Sequence, residues 1–350
     1  FTSTYANVGQ TSNKGIEIAL QGVLVKTRDW NVTAGFNINF NRGKVDKLAD
    51  NVTGLYGTEW ATSSTFPKSD YVLKEGRPVG LVRGLTADGF YTTDDFTYEN
   101  GVYTLKEGVA DVSSAVFPNY HLHNGMNERP AGQLAYPGMA KFKDLNDDGI
   151  INDDDVDVIG DMTPVHTGGF NINATYKNFD LGLYFNWSYG NEIYNVNKLA
   201  ALYGYKEGAV YENKLSIVKD CYKIYDVVNG ELVALTTPEQ LNAANANAKL
   251  PLAYSENGYV STLGIEDGSY LRLNTLTLGY TLPKSMLQKA GISNLRVYGS
   301  IYNVFTITGY SGIDAEVSTS TSTKTYPQLG MDWGTYPRAR SFVLGVNLSF

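Results

Sequence analysis

The residues Asp144 to Asp155 place an oxygen donor at every position where a calcium-binding loop of the EF-hand type needs one. Asp144, Asn146 and Asp148 supply side-chain oxygens at the first, third and fifth positions. Ile150 offers its backbone carbonyl at the seventh, Asn152 stands at the ninth, and Asp155 closes the loop. Carboxylate, amide and carbonyl oxygens in this order suit a hard divalent cation, and Gly149 sits where the chain must turn sharply. Ile151 reads as the apolar anchor beside the ligands. Asp155 replaces the longer Glu usual at the last position, which shortens its reach toward the cation. Pro137-Gly138 precedes the loop and no amphipathic helix pair flanks it, so the expected role of Ca2+ is a structural clip rather than a sensor. The alternative is an Asp/Asn-rich surface turn that binds nothing.

Other chemistry has little support. His121 and His123 flank Leu122 without a third ligand nearby and read as exposed loop histidines, and His166 stands alone. No Gly-x-Ser-x-Gly elbow, His-Glu-x-x-His or phosphate loop occurs, so the chain is not expected to be an enzyme. Cys221 is the only cysteine, which excludes an internal disulfide framework and a multi-cysteine zinc site. Lys and Arg number 28 against 36 Asp and Glu, a net charge of −8 with no basic run, a balance that argues against a general nucleic-acid binder.

The elements that would carry such a loop are strands. Trp30 to Phe40 is apolar or small at every even position and polar or small at every odd one, the period of a strand with one greasy and one wet face. The same alternation runs through Ile16–Leu20, Phe170–Tyr176, Phe179–Tyr189, Leu271–Leu282 with a register break near Asn274, Leu295–Ile301 and Phe342–Phe350. Several run about ten residues, the length a tilted strand needs to cross a bilayer. The wet faces carry Asn, Thr, Ser and Gly rather than Lys and Glu. With 26 Tyr, 36 Gly and no apolar run long enough for a membrane helix, an all-β transmembrane antiparallel barrel is expected over a soluble β-sandwich.

The connections alternate strictly between short and long. Lys26–Asp29, Lys177–Asn178 and Pro283–Asn294 are short, while residues 41–169, 190–269 and 305–340 are long. Outer-membrane barrels join their strands by short periplasmic turns and long extracellular loops, which places the C-terminus in the periplasm. The last ten residues alternate up to a terminal Phe350, as bacterial outer-membrane proteins characteristically do. Seven strands do not close a barrel, so residues 1–350 are read as the C-terminal portion of a larger one, with further short strands expected in the loops around Val79 to Leu85. The loops also hold aromatic rings among amides and hydroxyls. Trp60, Tyr91, Trp333 and Tyr336 are the candidates for stacking on a sugar ring or peptide side chain, with packing of folded loops as the alternative.

Several stretches resemble the SusC/RagA type of TonB-dependent outer-membrane transporter of Bacteroidetes. They are Asn13-Lys14-Gly15-Ile16-Glu17, Phe142 to Gly149, Ile159-Gly160, Tyr189 to Asn195, Tyr270-Leu271-Arg272-Leu273, Leu278 to Pro283, Asn303-Val304-Phe305 and Tyr336-Pro337-Arg338-Ala339-Arg340, in the family's order over nearly the whole chain. The resemblance implies a 22-stranded barrel with a plugged lumen, a SusD-like surface lipoprotein as lid, and import of captured glycan or peptide driven through TonB. The N-terminal plug and TonB-contacting segment of that family are not expected within this sequence, which would need the remainder of the barrel and plug. A calcium-dependent surface glycan-binding β-protein without transport activity is the second expectation.

Overall fold

A computed structural model describes residues 9–117, 129–202, 214–253, 258–288, 291–319 and 328–350. Its main element is a 7-stranded sheet whose strands follow one another in chain order. They are β1 (Gly9–Lys26), β2 (Trp30–Leu48), β3 (His166–Tyr176), β4 (Phe179–Tyr189), β5 (Tyr270–Thr281), β6 (Asn294–Thr308) and β7 (Ser341–Ser349). Every neighbouring pair is antiparallel. All seven strands expected from alternation are present. The ladder extends several beyond the apolar pattern, because backbone pairing continues where a strand rises clear of the apolar zone.

Register sorts the side chains onto two faces. On one, Phe36 pairs with Leu20 and Phe170, Ile172 with Leu183, Leu183 with Leu276, Leu276 with Ile301 and Ile301 with Phe342. The other carries Asn37, Asn171, Tyr184, Thr275 and Tyr302 in the neighbouring positions of the same ladder. The register break expected at Asn274 is a bulge seen from both sides, between Tyr184 and Phe185 in one neighbour and between Leu273 and Thr275 in the pairing with the other. It keeps Leu271 and Leu276 on the same apolar face despite their odd separation.

That apolar face is uncovered. Ile16 is 66% exposed and Leu344 89%, within a field of Ile, Leu, Val and Phe that no described element packs against. Soluble monomers rarely present contiguous apolar patches beyond a few hundred Å2, so this face needs a hydrocarbon environment. Aromatic pairs mark its two borders. Trp30 packs on Tyr176 at 4.4 Å between centroids and Phe179 on Tyr280 at 4.7 Å near the short turns. Near the opposite border His166 stacks on Tyr189 and accepts a hydrogen bond from the Trp187 indole. Gly168 opens the space for that indole, since a Cβ there would come within 2.4 Å of the ring. Amphipathic aromatics at both edges of an apolar band are the pattern of a transmembrane barrel wall.

The core lies in the connections instead. The short connections 27–29, 177–178 and 282–293 share one end of the sheet with Ser349, which pairs with Asn294. The long ones, 49–165, 190–269 and 309–340, gather at the other end and fold on one another. Leu55–Gly57, Tyr71–Leu73, Leu81–Leu85 and Val156–Asp161 form a 4-stranded sheet within the first, and the expected strand near Val79 to Leu85 is one of its members. Gly258–Tyr259 pairs with Thr65–Phe66, and Glu192–Asn195 pairs with Met331–Asp332, so all three connections join one layer. Among the described residues three clusters fill it, one around Tyr91, Tyr103, Tyr136, Ile151 and Tyr259, one around Val82, Tyr194, Leu199 and Met331, and a smaller one of Ile193, Tyr310 and Ala315.

Asp70 fastens this layer. It is fully buried, and its carboxylate accepts hydrogen bonds from the backbone N–H groups of Glu59, Trp60 and Ala61 at 2.8, 2.8 and 3.0 Å. Burial pushes the Asp70 carboxyl up, and the three N–H donors pull against that shift. Asp70→Ala would orphan these donors at a cost on the order of 3 kcal/mol. Amide hydrogen exchange at Glu59 to Ala61 should accelerate roughly a hundredfold. Unchanged exchange would show that the cap is dispensable.

Candidate functional site

The loop Asp144–Asp155 has the backbone of a cation-binding turn. Asp147 at its fourth position has φ +57° and Gly149 at its sixth +84°, the left-handed pair that wraps the chain around a central point. Gly149 N–H donates to Asp144 Oδ2 at 2.7 Å and Ile150 N–H to Asp148 Oδ1 at 2.9 Å. Asp155 is fully buried and ties the two ends together, accepting from Leu145 N–H at 2.7 Å and Asn152 N–H at 2.8 Å. Ile151 is fully buried in the larger loop cluster, as an anchor should be, and Ile150-Ile151 pairs in parallel with Asp111-Val112. Strands Ala140–Phe142 and Val156–Asp161 flank the loop where a sensor would have helices.

The side chains are less gathered than the backbone. Among the described residues no three His, Cys, Asp or Glu side chains converge as a metal cluster. The carboxylates are instead engaged with loop N–H groups, and Asn146 Nδ2 donates to Asp148 Oδ2 at 3.0 Å. Asn146 Oδ1 accepts from Asp148 N–H at 3.2 Å, so the backbone turn and the oxygen-donor chemistry suit a hard cation while the side chains are held by bonds within the loop.

The four candidate aromatics separate. Tyr91 is a correction to the exposed-ring reading. It is fully buried, its hydroxyl donates to the Ala110 carbonyl at 2.6 Å, and it packs near Phe96, so it builds the loop core and does not face a ligand. Trp60 is half-buried, edge-on to Tyr194. Trp333 and Tyr336 are exposed, Tyr336 at 87%. Between them, Gly334 and Thr335 line a cleft with Asn195, Asn197, Leu215 and Ile313. Asn197 holds this wall in place, with its Nδ2 donating to the Asp332 carbonyl at 3.1 Å and its Oδ1 accepting from Gly334 N–H at 2.9 Å. The pair of exposed rings beside amides is the part of the candidate set that can stack and orient a ligand. His121 and His123 lie outside the described residues.

The structure adds a charged cluster that residue patterns did not single out as one. Arg272 projects from the polar face of β5 and is nearly fully buried beneath the third long connection, where it meets Asp314 and, at 3.3 Å, Glu316. Arg338 reaches the same Glu316 at 3.0 Å. Arg340 donates to the Asn303 carbonyl at 3.2 Å, and Asn303 returns a bond from Nδ2 to the Ala339 carbonyl at 2.7 Å. The stretch Pro337 to Arg340 is thus clamped to β5 and β6. A second ion pair crosses the polar face from Asp180 on β4 to Arg296 on β6, with an Nε to Oδ1 distance of 2.9 Å. It passes over Gly279 of β5, where a Cβ would lie 2.4 Å from the Asp180 carboxylate.

With this geometry in hand, the relatives fall into place. The TonB-dependent receptor P3 of Formosa agariphila is 29% identical over 354 residues, covering 100% of this chain and 30% of the relative. The TonB-dependent receptor SusC of Bacteroides thetaiotaomicron is 26% identical over 351 residues, covering 98% of this chain and 27% of its own length. The chain is a homologue of the TonB-dependent receptors. The solved structure of the RagAB peptide transporter covers 100% of this chain with a TM-score of 0.65 at 22% identity, and this chain covers 30% of it. The RagAB peptide importer in the 'open-open' state gives 0.63. These likenesses show the fold, that of part of the RagAB barrel. No protein-family model matches the chain, which spans about 30% of the length of the first relatives it matches.

Proposed function

We propose that this chain is part of the wall and outer loop layer of an outer-membrane importer that takes up glycan through TonB together with a SusD-like lipoprotein. The observation that carries the reading is the sheet with one continuous apolar face, bordered by aromatics, and a folded layer over only one of its ends. The short turns and the C-terminal strand end face the periplasm, and the layer faces the medium. Ligand meets the layer near Trp333 and Tyr336, on the wall that Asn197 braces. RagAB is a peptide transporter, and peptide is the competing cargo here. Cells carrying the receptor should accumulate a fluorescent oligosaccharide from their own growth substrate and lose the accumulation when a protonophore removes the energy for TonB. Accumulation of labelled peptide but not oligosaccharide would reassign the cargo, and uptake indifferent to the protonophore would overturn the coupled mechanism.

In the same reading Ca2+ is a structural clip bound by Asp144, Asn146, Asp148, Asn152, Asp155 and the Ile150 carbonyl. The supporting observation is the left-handed pair at Asp147 and Gly149, together with six aspartates in one short loop whose mutual repulsion a divalent cation would relieve. Chelation should increase protease cleavage within residues 49–165, and calcium should restore protection with measurable binding heat. Identical digestion patterns in calcium and chelator, without binding heat, would remove calcium from the account. A calcium-dependent glycan-binding surface protein without transport gains no support from the uncovered apolar face, which a soluble module would have to bury.

A further inference from the structure

A cleft on the first long connection, apart from the aromatic pair, is lined by two cations and several hydroxyls. Its floor is Phe66 and Pro67, both buried, and its rim carries Ser64, Ser69 and Ser114 with Lys68 and Arg83. Arg83 extends half-buried from the strand Leu81–Leu85. Its guanidinium lies 4.8 Å over the Tyr56 ring and donates to Ser69 Oγ at 2.8 Å, which fixes the plane of the fork. Among the described residues neither Arg83 nor Lys68 has a carboxylate within ion-pair distance. Burial pulls the Arg83 guanidinium below its ordinary range, and the nearby Tyr56 hydroxyl and Asp153 carboxylate do not fully offset its loss of water. Asp153 on the far wall is the one acidic side chain lining the cleft, and it leaves the two cations in excess.

We propose that this cleft binds an oxyanion substituent of the ligand, a sulfate, phosphate or uronate carboxylate, with Arg83 as the oriented fork, Lys68 as the mobile second cation and the serine hydroxyls as donors. The inference rests on the importer reading for its biological ligand, which would then be an acidic rather than a neutral glycan. Binding itself is a property of the loop layer alone, so its failure would leave the membrane reading untouched. The test is a calorimetric titration of the detergent-solubilised native receptor with sodium sulfate, sodium phosphate, sodium glucuronate and glucose at constant ionic strength. At least one of the three anions should bind saturably, the preferred one naming the source, and glucose should not bind at this site. Arg83→Gln and Lys68→Gln should each weaken the anion about tenfold, the loss of one charge-assisted contact, while Lys249→Gln, an exposed lysine elsewhere in the layer, should leave it unchanged. Lys68 is exposed, so its variant remains informative if Arg83→Gln disturbs the strand. No saturable anion binding, or binding indifferent to both substitutions, would overturn the proposal.

Discussion

Arg272→Met is expected to release the third long connection from the wall. The wild-type guanidinium sits under that connection with side-chain exposure of 3%, against 8% for Asp314, so water does little to screen the pair. Removing the cation leaves Asp314 buried beside Glu316, and among the described residues the cation that remains to answer both is Arg338, half exposed and 3.8 Å from Asp314. Stranding one partner of a buried ion pair costs about 3–5 kcal/mol, far more than the intact pair contributes. The loss should be local, because β5 keeps its ladder to both neighbours. Limited proteolysis of the membrane-embedded receptor should therefore show new cleavage between residues 309 and 340. Arg272→Lys should recover only part of the protection, since an ammonium cannot reach both carboxylates in fork geometry. Protection equal to wild type in Arg272→Met would show that the connection is held by its other contacts, such as the Tyr310 hydroxyl on Asp332 at 2.6 Å.

Two adjacent residues of β4 separate the faces of the sheet. Leu183 pairs with Ile172 and Leu276 midway along the apolar face, and Tyr184 lies on the polar face beside Asn171 and Thr275. An arginine on the lipid face near the bilayer midplane costs about 2–4 kcal/mol, whereas the polar face carries Asp180 and Arg296 in the native protein. Leu183→Arg should lower the stability of the receptor refolded into lipid vesicles by that amount, and Tyr184→Arg should change it little. Equal effects would mean that both faces meet the same medium, and the membrane assignment would fail.

Much of the wall was legible because lipid and lumen impose period two on every crossing strand. Trp30 to Phe40 shows it without interruption, and the break at Asn274 announced the bulge. Strand ends were less legible. Beyond Phe40 and Ile301 the pattern fades while pairing continues to Leu48 and Thr308, since ladder bonds there need no apolar face. The loop layer was nearly opaque, because it is made by contacts between distant segments. The Tyr71 hydroxyl on the Leu329 carbonyl joins residues 258 apart in sequence. Tyr91 illustrates the cost: a ring among Gly, Thr and Asp reads as exposed, and only the folded layer shows that it is core. Arg272 did leave a signal, a charge inside an alternating strand, but its partners Asp314 and Glu316 carry no spacing that points back to it. The left-handed turn at Asp147 and Gly149 was legible for the opposite reason, since the residues that make it are contiguous and its conformation is set by local backbone geometry.

Cysteine labelling of intact cells tests the central claim most directly. The native Cys221 is buried and can be replaced by Ser, together with any cysteine in the rest of the receptor, to clear the background. Tyr336→Cys then places a thiol on the exposed loop layer, and Met286→Cys places one in the connection 282–293 at the opposite end of the sheet, where the native side chain is 68% exposed. An outer-membrane wall with its long connections outward predicts that a membrane-impermeant maleimide labels Tyr336→Cys in intact cells and reaches Met286→Cys only after the outer membrane is permeabilised. Labelling of both sites in intact cells, or of Met286→Cys alone, would contradict it.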